Sequence, residues 1–328
     1  MNLLIPLLAL SSSVITPDMV TQLSELEKND PHQALKVYKQ SREDYLRSFS
    51  LEAVQYHRVA LKAANDLTDW PTFLSILETL KQPELTPYTS KKTLHIINDI
   101  GVAYRLNNQF DDAIAHFKCA IDKTSNAHQT AALKANIAIA YRIQGQPSVG
   151  FRLLDSIEFK VLNTPIRAGI NVVKGNLSLH LGKTTAAIQS YQEAIKLFKE
   201  ENKIRDSIRV EFNIMTAALL EKNLPLYQTY RTNAETKIKD FNIDNSDFLT
   251  FLDMVSYAIS TRDTFQLETS KTALLLNELA KNDDANESVR LLLKSLKLDN
   301  VISAEQQRKP IEPLLEAKLG AHWCEEMK

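Results

Sequence analysis

Histidine and cysteine are the residues of this chain best suited to bind a metal or to act as nucleophiles, but their spacing supports neither chemistry. A metal site on a helix needs two ligands on one face, and the known catalytic motifs place their residues at fixed intervals. No Cys-x-x-Cys, His-Glu-x-x-His or Gly-x-Ser-x-Gly motif occurs. The sequence therefore predicts a non-enzymatic protein without a metal or cofactor. The seven histidines, none paired at a metal-ligand spacing, are His32, His57, His95, His116, His128, His180 and His322.

Gly182-Lys183-Thr184 resembles the end of a phosphate-binding loop. That loop requires a further glycine at position 177, because its backbone N–H groups surround the phosphate, and Leu177 stands there. The tripeptide is also predicted to connect two helices, whereas a phosphate-binding loop follows a strand. We therefore expect no nucleotide binding.

The charge and the cysteine content exclude some partners and leave the compartment open. A net charge of −1 and a sequence pI near 6.7 give no electrostatic reason to expect nucleic acid or an anionic membrane as a partner. Two cysteines, Cys119 and Cys324, are too few for a disulfide framework. Many proteins of oxidising compartments carry equally few, so either compartment remains possible.

A repeat with a period of 37 residues organises the middle of the chain. Small residues recur on two predicted helices, and a residue that favours the left-handed backbone conformation recurs in the turn between them. A small residue on the first helix lets the second helix approach, and a large one on the second helix fills the space above it. The columns are Gly101/Ala138/Gly175, Asn108/Gly145/Gly182, Ala113/Gly150/Ala187, Phe117/Leu154/Tyr191 and Ala120/Ile157/Ala194.

This pattern resembles the tetratricopeptide repeat, through Ile100-Gly101, Tyr104, Ala113, Phe117 and Ala120. The resemblance is strongest over residues 94–199, although the period exceeds the family's usual length of about 34 residues. It implies an all-α fold, a right-handed α-solenoid of about eight helical hairpins, each of which packs on its neighbours. We expect the array to span residues 16–284 and a last hairpin with a capping helix to span 285–328.

Prolines give a second indication of the same units. Pro31, Pro71, Pro147 and Pro225 each follow a predicted turn residue by two positions, and proline is favoured in the first turn of a helix. The predicted turn residues are Asn29, Asp69, Asn108, Gly145, Gly182, Asn223, Asp263 and Asn300. In the sixth unit, residues 208–239, this register puts Gln228 where a small residue is expected, which predicts looser packing.

The resemblance implies that the first helix of each hairpin lines a concave face that binds a partner. The candidate partner-binding residues on that face are His95, Asn98, Arg105, Arg142, Asn176 and His180. Arg105 and Arg142 occupy equivalent positions and could hold a carboxylate or an acidic peptide, since each guanidinium offers a planar set of donors. The alternative is that both are solvated arginines on a polar face. Asn98 and Val102 stand where the family's peptide clamp needs Lys and Asn, so that clamp is not expected here.

Two hypotheses about function follow. The first is a protein- or peptide-binding scaffold that is exported to the periplasm or secreted. The second is a cytoplasmic, peptide-responsive regulator or sensor component of bacterial signalling, whose array shifts between two conformations. Neither needs a stable membrane span in the mature chain. His322-Trp323-Cys324 could be a binding feature or could pack on the final hairpin.

The N-terminal sequence favours export over a cytoplasmic location. Leu3–Leu10 form a short apolar run that Ser11-Ser12-Ser13 follow, and Thr16-Pro17 begin the first predicted helix of the array. The run is too short to cross a bilayer and suits a signal peptide, residues 1–15, with cleavage between Ser12 and Thr16. The alternative is a first core helix, although Pro6 and the serines would interrupt it.

Overall fold

A computed structural model describes residues 14–45, 48–241, 246–279, 283–298, 301 and 318–324. The apolar run Leu3–Leu10 and the turn at Asn300 lie outside these residues, as do parts of the predicted last hairpin and capping helix, residues 285–328. Within the described residues the secondary structure is helical, without a strand. The predicted all-α helical-repeat fold is confirmed.

The chain divides into two compact units, residues 1–125 with 311–328, and residues 126–310. The helices of unit 1 are α1 (Pro17–Asn29), α2 (Pro31–Tyr45), α3 (Leu51–Asp66), α4 (Trp70–Leu80), α5 (Thr86–Thr89), α6 (Thr93–Leu106) and α7 (Phe110–Asp122). They form the hairpins α1/α2, α3/α4 and α6/α7, whose first helices also pack in order, α1 on α3 and α3 on α6. A 3-10 turn at Leu319–His322 completes the unit and contacts α6.

Unit 2 has the same kind of arrangement within itself. Its helices are α8 (Ala127–Ile143), α9 (Pro147–Asp155), α10 (Thr164–His180), α11 (Thr184–Glu200), α12 (Ile204–Leu220), α13 (Leu224–Phe241), α14 (Ser246–Thr261), α15 (Ser270–Leu279) and α16 (Asp283–Ser295). Helices α8 to α13 form three hairpins, and the first helices α8, α10 and α12 contact one another in order. Helices α14 and α15 pack on each other, and α16 packs on both α15 and α12.

In the strongest repeats the left-handed residues lie at the predicted turn positions, but in two other hairpins they lie one position earlier. Asn108, Gly145 and Gly182 have positive φ angles of 59°, 81° and 69° and end α6, α8 and α10 as predicted. In the hairpins α3/α4 and α12/α13 the left-handed residue comes one position earlier, at Thr68 and Lys222. The residues predicted to make those two turns instead begin the next helix: the side chains of Asp69 and Asn223 accept hydrogen bonds from the backbone N–H groups of Thr72 and Leu226.

This shift changes the register of the sixth unit. When the repeat is aligned on Lys222 as the turn residue, the small residue is expected at position 227, which is Tyr227, and not at Gln228. Tyr227 is 2% exposed and donates a hydrogen bond to Asp253 Oδ1, whereas Gln228 is exposed. The expectation for Gln228 therefore rested on a register that was wrong by one residue.

The predicted pairing of small and large residues occurs inside the hairpins. A Cβ atom on Gly101 would lie 2.6 Å from Phe117 Cε1, and one on Gly175 would lie still closer to the ring of Tyr191. Both aromatic rings are fully buried. In the hairpin α8/α9 the small residue is on the second helix, where a Cβ on Gly150 would meet the backbone oxygen of Ala138 at 2.8 Å.

Gly150 and Gly169 offer a matched pair of helical glycines for testing this packing. Replacing Gly150 by Ala is expected to lower the free energy of unfolding by about 1–3 kcal/mol, because backbone cannot move away as a side chain can. Nothing lies within 4 Å of a Cβ on Gly169, so Gly169→Ala should be neutral or stabilise by up to about 1 kcal/mol through helix propensity. Urea unfolding followed by circular dichroism measures both, and equal stabilities would contradict the close approach of α8 and α9.

The C-terminal segment, residues 318–324, for which the sequence left open a binding feature or packing on the final hairpin, packs on the third hairpin, α6/α7. The backbone N–H of Leu319 donates to Tyr104 Oη at 2.9 Å, and that of Gly320 donates to His116 Nε2 at 3.1 Å. Cys324 forms a disulfide with Cys119 of α7, with a Cα–Cα distance of 6.4 Å. Both cysteines are buried, so the bond fixes the segment to the hairpin from inside.

His116 makes this attachment sensitive to pH. Its Nε2 accepts from Gly320, so its proton is on Nδ1, which donates to the carbonyl oxygen of Asp112 at 2.7 Å. Burial lowers the pKa of His116, an effect that Asp112 partly offsets, and the folded chain therefore holds the neutral ring.

The stabilisation from His116 is expected to be complete above about pH 6.5, the pKa of an unfolded histidine, and to fall as the pH drops below it. The unfolded chain takes up the proton first, and a protonated Nε2 cannot accept from Gly320. The difference in unfolding free energy between the wild-type chain and His116→Gln, measured from pH 7.5 to 5, should therefore shrink toward acid pH. A constant difference would contradict the neutral ring.

Candidate functional site

Two of the predicted partner-binding residues lie together on what we term the first-helix wall of unit 2, the surface formed by α8, α10 and α12. Arg142 is in the last turn of α8 and His180 ends α10. Because these helices pack side by side in the same register, Arg142 Nη1 comes within 3.3 Å of His180 Nε2. The sequence period that aligned these helices therefore placed both residues at the same end of the wall.

A third residue, Glu287 of α16, completes this cluster. One oxygen of its carboxylate contacts Arg142 Nη1 and the other contacts His180 Nε2. Sequence analysis did not identify Glu287, since it lies far from both partners along the chain and outside the repeat. Its only signal was an acidic residue on an amphipathic helix, which is common on exposed surfaces.

The cluster is arranged to hold a carboxylate. Arg142 is 5% exposed, so its charge is removed from water and is stabilised by a nearby anion. Burial, together with the charge of Arg142, lowers the pKa of His180 to about 4, so the ring is neutral near pH 7. A neutral ring with its proton on Nε2 donates to the carboxylate, as Arg142 does. Two donors from two helices thus converge on one acidic group.

Asn176, the other candidate in this unit, contributes to the hairpin itself. Its Oδ1 accepts a hydrogen bond of 2.6 Å from the hydroxyl of Tyr191, which joins α10 to α11. This bond fixes the orientation of the buried Tyr191 ring above Gly175.

His95, Asn98 and Arg105 lie on α6, in the first-helix wall of unit 1, which α1, α3 and α6 form. All three are partly exposed. Burial and then the nearby charge of Arg58 lower the pKa of His95, while Asp99 partly offsets them. Arg105 and Arg142 belong to different units, and their predicted joint action on one ligand stays a prediction.

The wall of unit 1 carries ionisable groups of both signs. Arg58 of α3 binds Asp99 of α6 through Nε at 2.9 Å and Nη2 at 2.7 Å, and this ion pair is largely buried. Partial burial raises the pKa of Glu27 on α1, and the charge of Lys62 on α3 opposes this rise. The ion pair joins α3 to α6 within this wall. Asp99 was not predicted, because it precedes the repeat's small residue and looked like an ordinary helical acid.

Within the described part of the chain, no helix has the length and apolarity to cross a membrane. Those residues also contain no group of three or more histidine, cysteine or acidic side chains that could hold a metal ion. Gly182 and Lys183 lie between α10 and α11, as predicted, and Thr184 is the first residue of α11.

Comparison with known proteins identifies one repeat by family. The family model of the tetratricopeptide repeat matches residues 168–201, which cover most of the hairpin α10/α11. This match confirms the resemblance noted in the sequence. It overlaps the end of the predicted strongest stretch, residues 94–199, and reaches Glu201. No curated protein matches the chain.

Proposed function

Since the chain contains a tetratricopeptide repeat within a series of packed helical hairpins, we propose that it is a non-enzymatic scaffold that binds a protein or peptide partner. Tetratricopeptide repeats serve typically as interaction scaffolds, which supports this class of function. The partner would be held on the first-helix walls, the faces that the family resemblance implies are concave.

The main support for partner binding is the contact of α16 with the first-helix wall of unit 2. Helix α16 packs on α12, and its Glu287 reaches α8 and α10 through Arg142 and His180. All three first helices of the hairpins in this unit therefore contact one further helix. A wall that binds a helix of its own chain through a buried arginine has the chemistry needed to bind a partner.

The wall of unit 1 provides the test of partner binding. The double variant His95→Ala/Asn98→Ala should capture at least about tenfold less partner from a lysate of the native host, because it removes polar contacts worth roughly 1 kcal/mol each. The matched control is Lys118→Ala/Lys196→Ala, on exposed faces of the second helices α7 and α11. Quantitative mass spectrometry of co-purified proteins measures the yield. Equal yields from the wild-type chain and the wall variant would contradict this surface assignment.

Export from the cytoplasm is part of the proposal. The apolar run Leu3–Leu10 supports it, and so does the buried disulfide between Cys119 and Cys324, since disulfides persist in oxidising compartments. Cell fractionation with intact-mass measurement tests it: we expect a chain that begins between Ser12 and Thr16 and contains no free thiol. A cytoplasmic chain that retains Met1 and reduced cysteines would favour the intracellular regulator instead.

A further inference from the structure

Helix α16 has the form of a peptide ligand bound to a helical surface. Its buried residues follow the spacing of an amphipathic helix and join the core of unit 2: Ala285, Val289, Leu292 and Leu293. Anchors at such intervals are the usual means by which a helical ligand binds a groove. Glu287 lies outside this apolar stripe and contacts Arg142 and His180 on the neighbouring first helices. One helix thus presents an apolar face to α12 and a carboxylate to α8 and α10.

The receptor side of this contact consists of two residues from the regular hairpin series. Arg142 and His180 are positioned by the packing of α8 on α10, two helices of the regular hairpin series. With α16 in place Arg142 is buried, an acidic partner stabilises its charge there, and the neutral imidazole adds a second donor to the same anion. The pair therefore selects a carboxylate, whichever chain supplies it.

We propose that Arg142 and His180 form a carboxylate-binding site on the first-helix wall of unit 2. Glu287 of α16 occupies this site in the free chain. An amphipathic helix of a partner, with a glutamate in the equivalent position, competes with α16 for it. This inference rests on the proposed scaffold function and specifies the chemistry of the ligand. It also gives α16 a role as an internal competitor that lowers the affinity for partners.

A synthetic peptide of residues 283–298, with blocked termini and a fluorescent label, is the probe that tests this proposal. The receptor is the full chain in which Glu287→Ala and Leu292→Ala loosen its own α16. We expect this chain to bind the peptide at least about tenfold more tightly than the wild-type chain does, because the internal competitor is weakened. The control variant, Leu274→Ala on the exposed face of α15, should bind like the wild-type chain.

A second peptide carries Glu287→Gln and so measures the contribution of the carboxylate alone. It should bind the loosened chain at least about fivefold less tightly than the first peptide, and the preference should vanish when Arg142→Ala is added. Equal binding of the first peptide by the wild-type and loosened chains would overturn the competition. The carboxylate site would be overturned if the loosened chain bound both peptides equally, or if it still preferred the glutamate peptide after Arg142→Ala.

Hydrogen exchange provides a readout if the loosened chain does not fold. In the otherwise wild-type chain, Arg142→Ala should accelerate exchange of the α16 amides at least about tenfold and leave α10 and α11 unchanged. Unchanged exchange in α16 would overturn the proposal. These measurements use no external partner, so a failed capture from the native host would count against the scaffold function without deciding this site.

Discussion

The double variant Cys119→Ser/Cys324→Ser is expected to lower the free energy of unfolding by about 3–5 kcal/mol. The disulfide joins residues 205 positions apart, and a loop of this length loses much conformational entropy when the unfolded chain is cross-linked. The backbone of the attached segment also donates to Tyr104 and His116, and these bonds become easier to break without the covalent link.

Urea unfolding under oxidising conditions measures this effect. Dithiothreitol should lower the stability of the wild-type chain to that of the double variant and leave the variant unchanged. A thiol titration of the native protein serves as the control, since it should detect no free cysteine before reduction. Two reactive thiols in a chain that was never exposed to reductant would contradict the pairing, as would equal stability of the wild-type chain and the variant.

Tyr191→Ala is expected to lower the free energy of unfolding by a similar amount, about 3–5 kcal/mol. The ring is fully buried against Gly175, so its removal loses apolar burial and leaves a cavity between α10 and α11. The variant also loses the hydrogen bond from the hydroxyl to Asn176. Tyr191→Phe keeps the ring and removes only this bond, so it should cost about 1 kcal/mol.

The matched control for Tyr191 is Tyr257→Ala. Tyr257 also lies within a helix, α14, but is 45% exposed, so its replacement should change the stability by less than about 0.5 kcal/mol. Thermal and urea unfolding of the three variants would give the comparison. If Tyr191→Ala were as stable as Tyr257→Ala, the pairing of small and large residues would not hold the hairpin together.

The sequence predicted the hairpins well wherever glycine or asparagine makes the turn. At Asn108, Gly145 and Gly182 the residue type and the left-handed conformation agree, because these residues adopt it at low cost. Thr68 and Lys222 do not favour the left-handed conformation, so the turns were predicted at the adjacent Asp69 and Asn223 instead. Aspartate and asparagine favour both turns and helix N-termini, so sequence alone could not separate the two roles.

The candidate site was predictable only where the repeat positions it. Arg142 and His180 come together because one period relates α8 to α10, and that period was visible in the small residues. Glu287 and the C-terminal segment reach their partners through long-range packing that no local pattern records. The pairing of Cys119 with Cys324 had no signal beyond the presence of two cysteines.

Site-specific photo-crosslinking in the native host tests whether the first helices of the hairpins bind the partner. A photoreactive residue at position 98 of α6 would report on the first-helix wall of unit 1, and one at position 118 of α7 would report on the exposed face of a second helix. If the first helices bind the partner, position 98 should give covalent adducts with a partner protein and position 118 should give none. Adducts from position 118 alone, or in equal yield from both positions, would contradict it.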